Sequence, residues 1–237
     1  MDITGTSCAK ILNLQDEEIN VDSESIHPVK FSNNILVMST EFLLPDMDQP
    51  ILFDGNKKAS MIQQFIACVD FGKLEYLFID TPPTTSEEIL TIMKLLEYNQ
   101  MEVVFVSQPS DVSDNAVQKS IRYLKEEGMN ISGLIANMDG HICTKCGHHD
   151  KLFIHDDMTS KELAEKYSIP FLGGVPTGLM TKGPKGEMVL RDNHFQQIAH
   201  KIITSKPVKN KKKFGKVSIF KKLGTLTKEV AKSYGGS

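Results

Sequence analysis

The 237 residues are 40% hydrophobic and 24% charged, the composition of an ordinary globular chain long enough for one large α/β domain or two small ones. No apolar run approaches the ~20 residues of a membrane span. The start, MDITGTSCAK, lacks the basic and apolar regions of a signal peptide, and four cysteines with one close pair make no disulfide framework, so a cytoplasmic setting is expected. The formal charge of −3 is uneven: ten lysines and one glutamate give residues 206–237 a charge of +9, leaving −12 on residues 1–205, and the domain boundary is drawn there.

In chain order, NILVMST (34–40) reads as a strand, and residues 57–71 as a helix with Met61, Phe65, Cys68 and Val69 at helical spacing. LEYLFIDTPP (74–83) reads as a buried strand stopped by a double proline. SEEILTIMKLLEY (86–98) has a serine start and Ile89, Ile92, Met93 and Leu96 on one helical face. MEVVFVSQP (101–109) is a second buried strand, 110–130 a capped helix ending at Gly128, and ISGLIANMD (131–139) a third strand. A helix over 158–168, a short strand over 169–176 and a terminal helix over 189–204 complete the series. Near-continuous apolar strands separated by helices predict an α/β fold, a three-layer, doubly wound and mostly parallel sheet covered on both faces.

Asp80 ends the run 76–80. In a doubly wound sheet, ligands bind beyond the carboxyl ends of the strands, and a carboxylate there is placed to hold the Mg²⁺ of a nucleotide. A capping or loop aspartate is the other reading of the same pattern.

Several segments follow one another in order: DITGTSCAKILNL, the stretch from LVMSTEFLLPDMDQP through LEYLFIDTPPTTSEE, VVFVSQPSDVSDNAVQKSIRYL, GLIANMDGHICTKCGHHDKLF and LAEKYSIPFLGGVPTG. Over residues 2–204 this series closely resembles the Mrp (ApbC-like) iron–sulfur cluster carrier ATPases, MinD relatives with a deviant Walker A loop. The resemblance implies a P-loop NTPase-like fold, a homodimer or a heterodimer with a homologue, ATP with Mg²⁺, and a labile 4Fe–4S cluster passed to apo iron–sulfur proteins. By motif matching it assigns Asp2 to the switch I carboxylate, Asp80 to the Walker B aspartate, Asn137 to the adenine edge and Pro176 to the loop over the base. A frayed terminus at Asp2 and a turn role for Asn137 are the alternatives.

The sequence departs from that family in places. No G-x-x-x-x-G-K-[ST] occurs, although such a loop wraps phosphate oxygens in backbone N–H groups and supplies a lysine. The chain is therefore expected to be N-terminally truncated, without its first strand and phosphate loop, or to be a loop-less variant. Thr84 stands where the family has glycine in D-T-P-P-G-T-S, and Gly5-Thr6-Ser7 replaces G-P-S. The family hydrolyses ATP; whether this chain does is left open by the missing loop.

HICTKCGHHDKLF (141–153) puts Cys143 and Cys146 at C-x-x-C spacing. Two thiolates are half of the set that tetrahedral zinc or a four-iron cluster requires. A second copy of the chain, meeting the same loop across a two-fold axis, is the simplest source of two more, giving one 4Fe–4S cluster shared between subunits. Zinc held locally by Cys143, Cys146, His148 or His149, and His141 or His155 is the alternative, and a redox pair is a third. Otherwise the histidines read as solvated, or as tuning the cluster from outside its ligands.

The tail KPVKNKKKFGKVSIFKKLGTLTKEVAKSYGGS spaces Ile219, Leu223, Leu226 and Val230 along one helical face among lysines. Such a helix can lie on an anionic membrane surface, as MinD relatives do, or bind an acidic partner. A disordered tail, or a helix on the acidic body, is the other reading, and no nucleic-acid partner is expected. Two functions of different class result. One is an ATP-regulated iron–sulfur carrier; the other is a non-catalytic metal-binding scaffold or partner subunit of a complete homologue.

Overall fold

The computed structural model describes residues 1, 7–23, 25–43, 55–82, 87–96, 101–143, 145–153, 158–178, 180–190 and 193–204. The basic tail (206–237) and Asp2 lie outside them. The described residues fall into two units, the first comprising 1–97 and 184–188, the second 98–183 and 189–204.

The first unit begins with helix α1 (Cys8–Ile11) and two antiparallel hairpins, β1 (Asn20–Val21) with β2 (Ile26–His27) and β3 (Val29–Ser32) with β4 (Ile35–Val37). The strand read in 34–40 is therefore β4, but it pairs antiparallel because Asn33-Asn34 supplies a tight turn directly before it. Ala9, Leu14, Val29, Val37 and Phe42 close a small core between these hairpins, α1 and the 3-10 turn Thr40–Leu43. Helix α2 (Gly55–Cys68) then buries Ile62, Phe65 and Cys68 at three-residue spacing, the pattern of a helix with one apolar face. It packs against α3 (Glu87–Leu95), which buries Ile92.

One expected element differs. Residues 74–79 form no strand: Leu74, Tyr76, Leu77 and Phe78 are all exposed, Phe78 at 72%. A strand exists only where a neighbour takes up its backbone groups. The described backbone bonds of this run include those to Met1, whose ammonium donates to the Phe78 carbonyl at 2.7 Å and whose carbonyl accepts from the Asp80 N–H at 2.8 Å.

The second unit holds the parallel pairing. Strand β5 (Glu102–Ser107) leads through α4 (Asp111–Glu126) to the long β6 (Asn130–Ile142). After the short β7 (His149–Asp150) come α5 (Ser160–Lys166), β8 (Phe171–Thr177), β9 (Met180–Lys182), β10 (Met188–Leu190) and α6 (His194–Thr204). β6 is central, parallel to β5 on one side and β8 on the other, while β7 turns back antiparallel on its end. Among the named strands of the described residues, parallel pairing is found in these three; an isolated parallel bridge, Ile26↔Val69, lies in the first unit, and the sheets of the chain are mixed.

Neighbouring positions on the parallel strands pack into different clusters. Leu134 and Phe105 join Ile121 of α4 and Leu163 of α5. Ile135 and Val104 join Leu172, Val175 and Ile198 of α6. Helices therefore cover both faces, which explains why β5 and β6 are apolar at consecutive positions rather than at alternate ones. Each fully buried leucine or isoleucine here stabilises the unit by about 2 kcal/mol. No helix among the described residues is long and apolar enough to cross a membrane.

Candidate metal centre

Strand β6 does not stop at the sheet's carboxyl edge. It pairs with β8 from Leu134↔Phe171 to Asn137↔Val175, then its register jumps, so that the next pair is His141↔Thr177. The extra residues form a bulge, with Met138 at φ +60° and Gly140 at φ +86°. A methionine in the left-handed region is uncommon, and such outliers concentrate at functional sites. Gly140 is required by space as well as by its φ, since a Cβ there would lie 2.2 Å from Nε2 of His149. The bulge re-aims the strand.

Beyond it, β6 pairs with β7 through His141↔Asp150 and Ile142↔His149. This hairpin carries the two cysteines in its loop. The Cys143 N–H donates to the His148 carbonyl at 2.9 Å, and the Gly147 N–H donates to the Cys143 carbonyl at 2.8 Å. The Cys143 sulfur receives the N–H groups of Cys146 and Lys145 and lies against the Cys146 thiol. These contacts, the Cys146 N–H foremost, hold its pKa below the ordinary thiol value, against smaller opposing effects of desolvation and of the Asp150 charge. A sulfur stabilised as thiolate by backbone N–H groups is the form that ligates metal.

The nearby imidazoles are engaged elsewhere. Nε2 of His148 is 3.0 Å from Asp150, Nε2 of His149 is 3.0 Å from the Asp139 carbonyl, and Nδ1 of His141 is 3.2 Å from the Thr177 hydroxyl. Among the described residues no three His, Cys, Asp or Glu side chains converge as a metal set. The zinc arrangement with His141, His148 or His149 is thus not assembled; His155 lies outside the described residues. Of the remaining cysteines, Cys68 is buried in the first unit, where desolvation pushes its pKa up, and Cys8 is half-buried at the start of α1. The candidate metal ligands that the chain brings together are Cys143 and Cys146.

The nucleotide candidates are placed as follows. Asn137 is half-buried at the last regular pair of β6, opposite Val175, and Pro176 follows that partner directly and is buried. These two therefore occupy adjacent strands at the sheet's carboxyl edge, where a doubly wound sheet binds ligands. Asp80 is exposed in the first unit, at the end of the extended run held by Met1. Sequence reasoning did not single out Met138, Gly140 or Thr177. The signal available was Asp139-Gly140, a turn dipeptide set inside an apolar strand.

The chain matches the model of the NUBPL iron-transfer P-loop NTPases, a ParA group, over residues 1–206. It is also similar in structure to a nucleotide-binding protein from Archaeoglobus fulgidus, solved in complex with ADP and with cobalt present. The TM-score is 0.58 and the identity 26%, over 85% of this chain and 72% of that one. With a family match across residues 1–206, a mixed α/β architecture similar to that structure, and a thiol pair on its own hairpin, the chain belongs to the NUBPL iron-transfer P-loop NTPase family.

Proposed function

We propose that this protein is an iron–sulfur carrier that holds a 4Fe–4S cluster between the Cys143–Cys146 hairpins of two subunits and passes it to apo-proteins. The observation that carries this reading is the hairpin itself. Two sulfurs lie together, one of them favoured as thiolate by backbone N–H groups, with the neighbouring imidazoles bonded to other partners. Half a ligand set on a solvent-facing loop suits a cargo that must be loaded and released, and the second half comes from an identical chain or a homologue. We extend the fold of the described parallel strands to a three-layer, doubly wound sheet in a cytoplasmic protein.

ATP with Mg²⁺ is the family's nucleotide, and Asp2, Asp80, Asn137 and Pro176 are the residues we assign to it. By residue type, Asp2 and Asp80 are the carboxylates for a metal, and Asn137 and Pro176 the groups for a base. The lysine and glycine-rich cradle for a triphosphate are not among these residues, and the sequence given has no G-x-x-x-x-G-K-[ST]. A second reading is a metal-binding scaffold or partner subunit in which a complete homologue supplies the hydrolysis. The basic tail would serve either reading as a contact to an anionic membrane surface.

Anaerobic reconstitution with ferrous iron and sulfide tests the proposal. A brown chromophore with about two irons per chain is expected on a dimer, and it is lost in Cys143→Ser and in Cys146→Ser. Stoichiometric zinc that resists reconstitution, or a monomer whose metal is fully ligated from within, overturns it. ATP turnover by the purified chain alone would remove the scaffold reading.

A further inference from the structure

His141 stands two residues before Cys143 and was a candidate metal ligand by sequence. Its ring is placed differently. Nδ1 is 3.2 Å from the Thr177 hydroxyl, and that hydroxyl also donates to the Gly140 carbonyl at 3.2 Å. The ring lies against Gly178, which has φ +92° and at which a Cβ would come within 2.7 Å of Cε1 and 2.9 Å of Nδ1 of His141. His141 and Thr177 are also the first registered pair after the bulge. From the other side, His149 fills the space over Gly140 and bonds the Asp139 carbonyl. The base of the thiol hairpin is therefore clamped where β6 leaves the sheet, and the His141 side chain makes the clamp's contact with β8.

We infer that His141 is a positioning residue that fixes the Cys143–Cys146 hairpin on the end of β8 through Thr177 and Gly178. Without it, the hairpin beyond the Met138–Gly140 bulge keeps its paired backbone and the Thr177 and His149 bonds to the bulge carbonyls, but loses its own side-chain contact with β8. The hairpin then samples orientations in which its two sulfurs no longer face a partner's pair, and cargo is held less well. Gly178 is glycine because the ring needs its space. Thr177 is hydroxylated because one oxygen serves both the ring and the Gly140 carbonyl. The consequence for cargo rests on the carrier reading; the positioning of the hairpin does not.

Amide hydrogen exchange on the apo chain, followed residue by residue by NMR, reads the clamp directly. His141→Ala is expected to speed exchange at the Cys143 and Gly147 amides about fivefold, the effect of one lost net hydrogen bond. Leu134 in the sheet stays unchanged. His141→Asn keeps a donor near the position of Nδ1 and restores the slow rate, and Thr177→Val reproduces His141→Ala. Equal exchange in wild type and His141→Ala overturns the inference, as does an Asn variant as fast as the Ala variant. On chain loaded with iron and sulfide, chelator-driven loss of the chromophore is faster in His141→Ala by a similar factor and restored in His141→Asn. A wild-type chain that takes up no cluster defeats the carrier reading, while the exchange measurement still decides whether His141 positions the hairpin.

Discussion

Two apolar runs in this chain, LEYLFID in the first unit and EVVFVS in the second, have nearly the same character and different fates. EVVFVS is strand β5, hydrogen-bonded to β6 from Glu102↔Asn130 to Ser107↔Ala136, with Val104 and Phe105 packed into separate clusters on its two faces, although Val106 near its end is 59% exposed. LEYLFID is extended and exposed, with Tyr76 and Phe78 stacked on each other at 6.2 Å between centroids. An apolar run reports that a segment is fit to be buried. Whether it becomes a strand depends on a neighbour to accept its backbone bonds and on helices to cover it. The same holds at the candidate site, since the thiol pair is built where the covered sheet extends into a hairpin.

The sharpest way to break the comparison uses the same residue type in both runs. Phe105→Ala removes a ring packed against Ile121 and Leu163 and is expected to cost about 2–3 kcal/mol, somewhat below a fully buried phenylalanine. Phe78→Ala removes a ring that is 72% exposed and is expected to change stability by less than ~0.5 kcal/mol. Urea denaturation midpoints of the two variants measure the difference. Equal losses would mean that 74–80 is as well covered as β5.

The thiols extend the contrast from packing to reactivity. Cys143 is held below the ordinary thiol range by N–H groups, and Cys68 is pushed above it by burial. The thiolate of Cys143 therefore persists as pH falls, whereas that of Cys68 is lost first. Iodoacetamide at neutral pH is expected to label Cys143 roughly tenfold or more faster than Cys68, because Cys143 has the larger thiolate fraction and Cys68 is also buried from the reagent. The ratio should widen from pH 9 to pH 7. Peptide mapping of a labelling time course gives both rates, and a ratio near one would remove the reason to single out the hairpin.

The long elements were legible because their signal is long. The helix read over 110–130 is α4, its start marked by Ser110 and its end by Gly128 at φ +81°. The strand read over 131–139 is β6, which runs on to Ile142. The hairpins of residues 20–37 were not legible beyond 34–40, because strands of two to four residues are too short for any period to show. At the site, C-x-x-C spacing identified the thiols, but not the partners of the three nearby histidines. Those depend on strand register: His141 faces Thr177 only because the bulge at Met138–Gly140 shifts the pairing, and no local pattern carries that information. Asn137 and Pro176 were drawn from a resemblance; their closeness on adjacent strands is a result of the parallel pairing.

The smallest expected effects separate two helix starts inside the covered unit. At α5 the cap is reciprocal: the Thr159 N–H donates to Glu162 at 2.8 Å, and the Glu162 N–H donates to the Thr159 hydroxyl at 3.3 Å. At α4 the Ser110 hydroxyl accepts one longer bond, 3.4 Å from the Ser113 N–H. Thr159→Ala is expected to cost about 1 kcal/mol and Ser110→Ala about 0.5 kcal/mol, within the range measured for such caps. The order also follows from length. α5 has 7 residues and α4 has 16, so a lost first turn takes a larger share of α5. Leu163 and Ala164 of that short helix sit in the cluster with Leu134, the buried middle of β6. A frayed α5 therefore loosens the strand that carries the thiols, and Thr159→Ala should raise exchange at the Leu134 amide where Ser110→Ala does not. If both variants leave that amide equally slow, the coverage of β6 does not depend on α5 being capped.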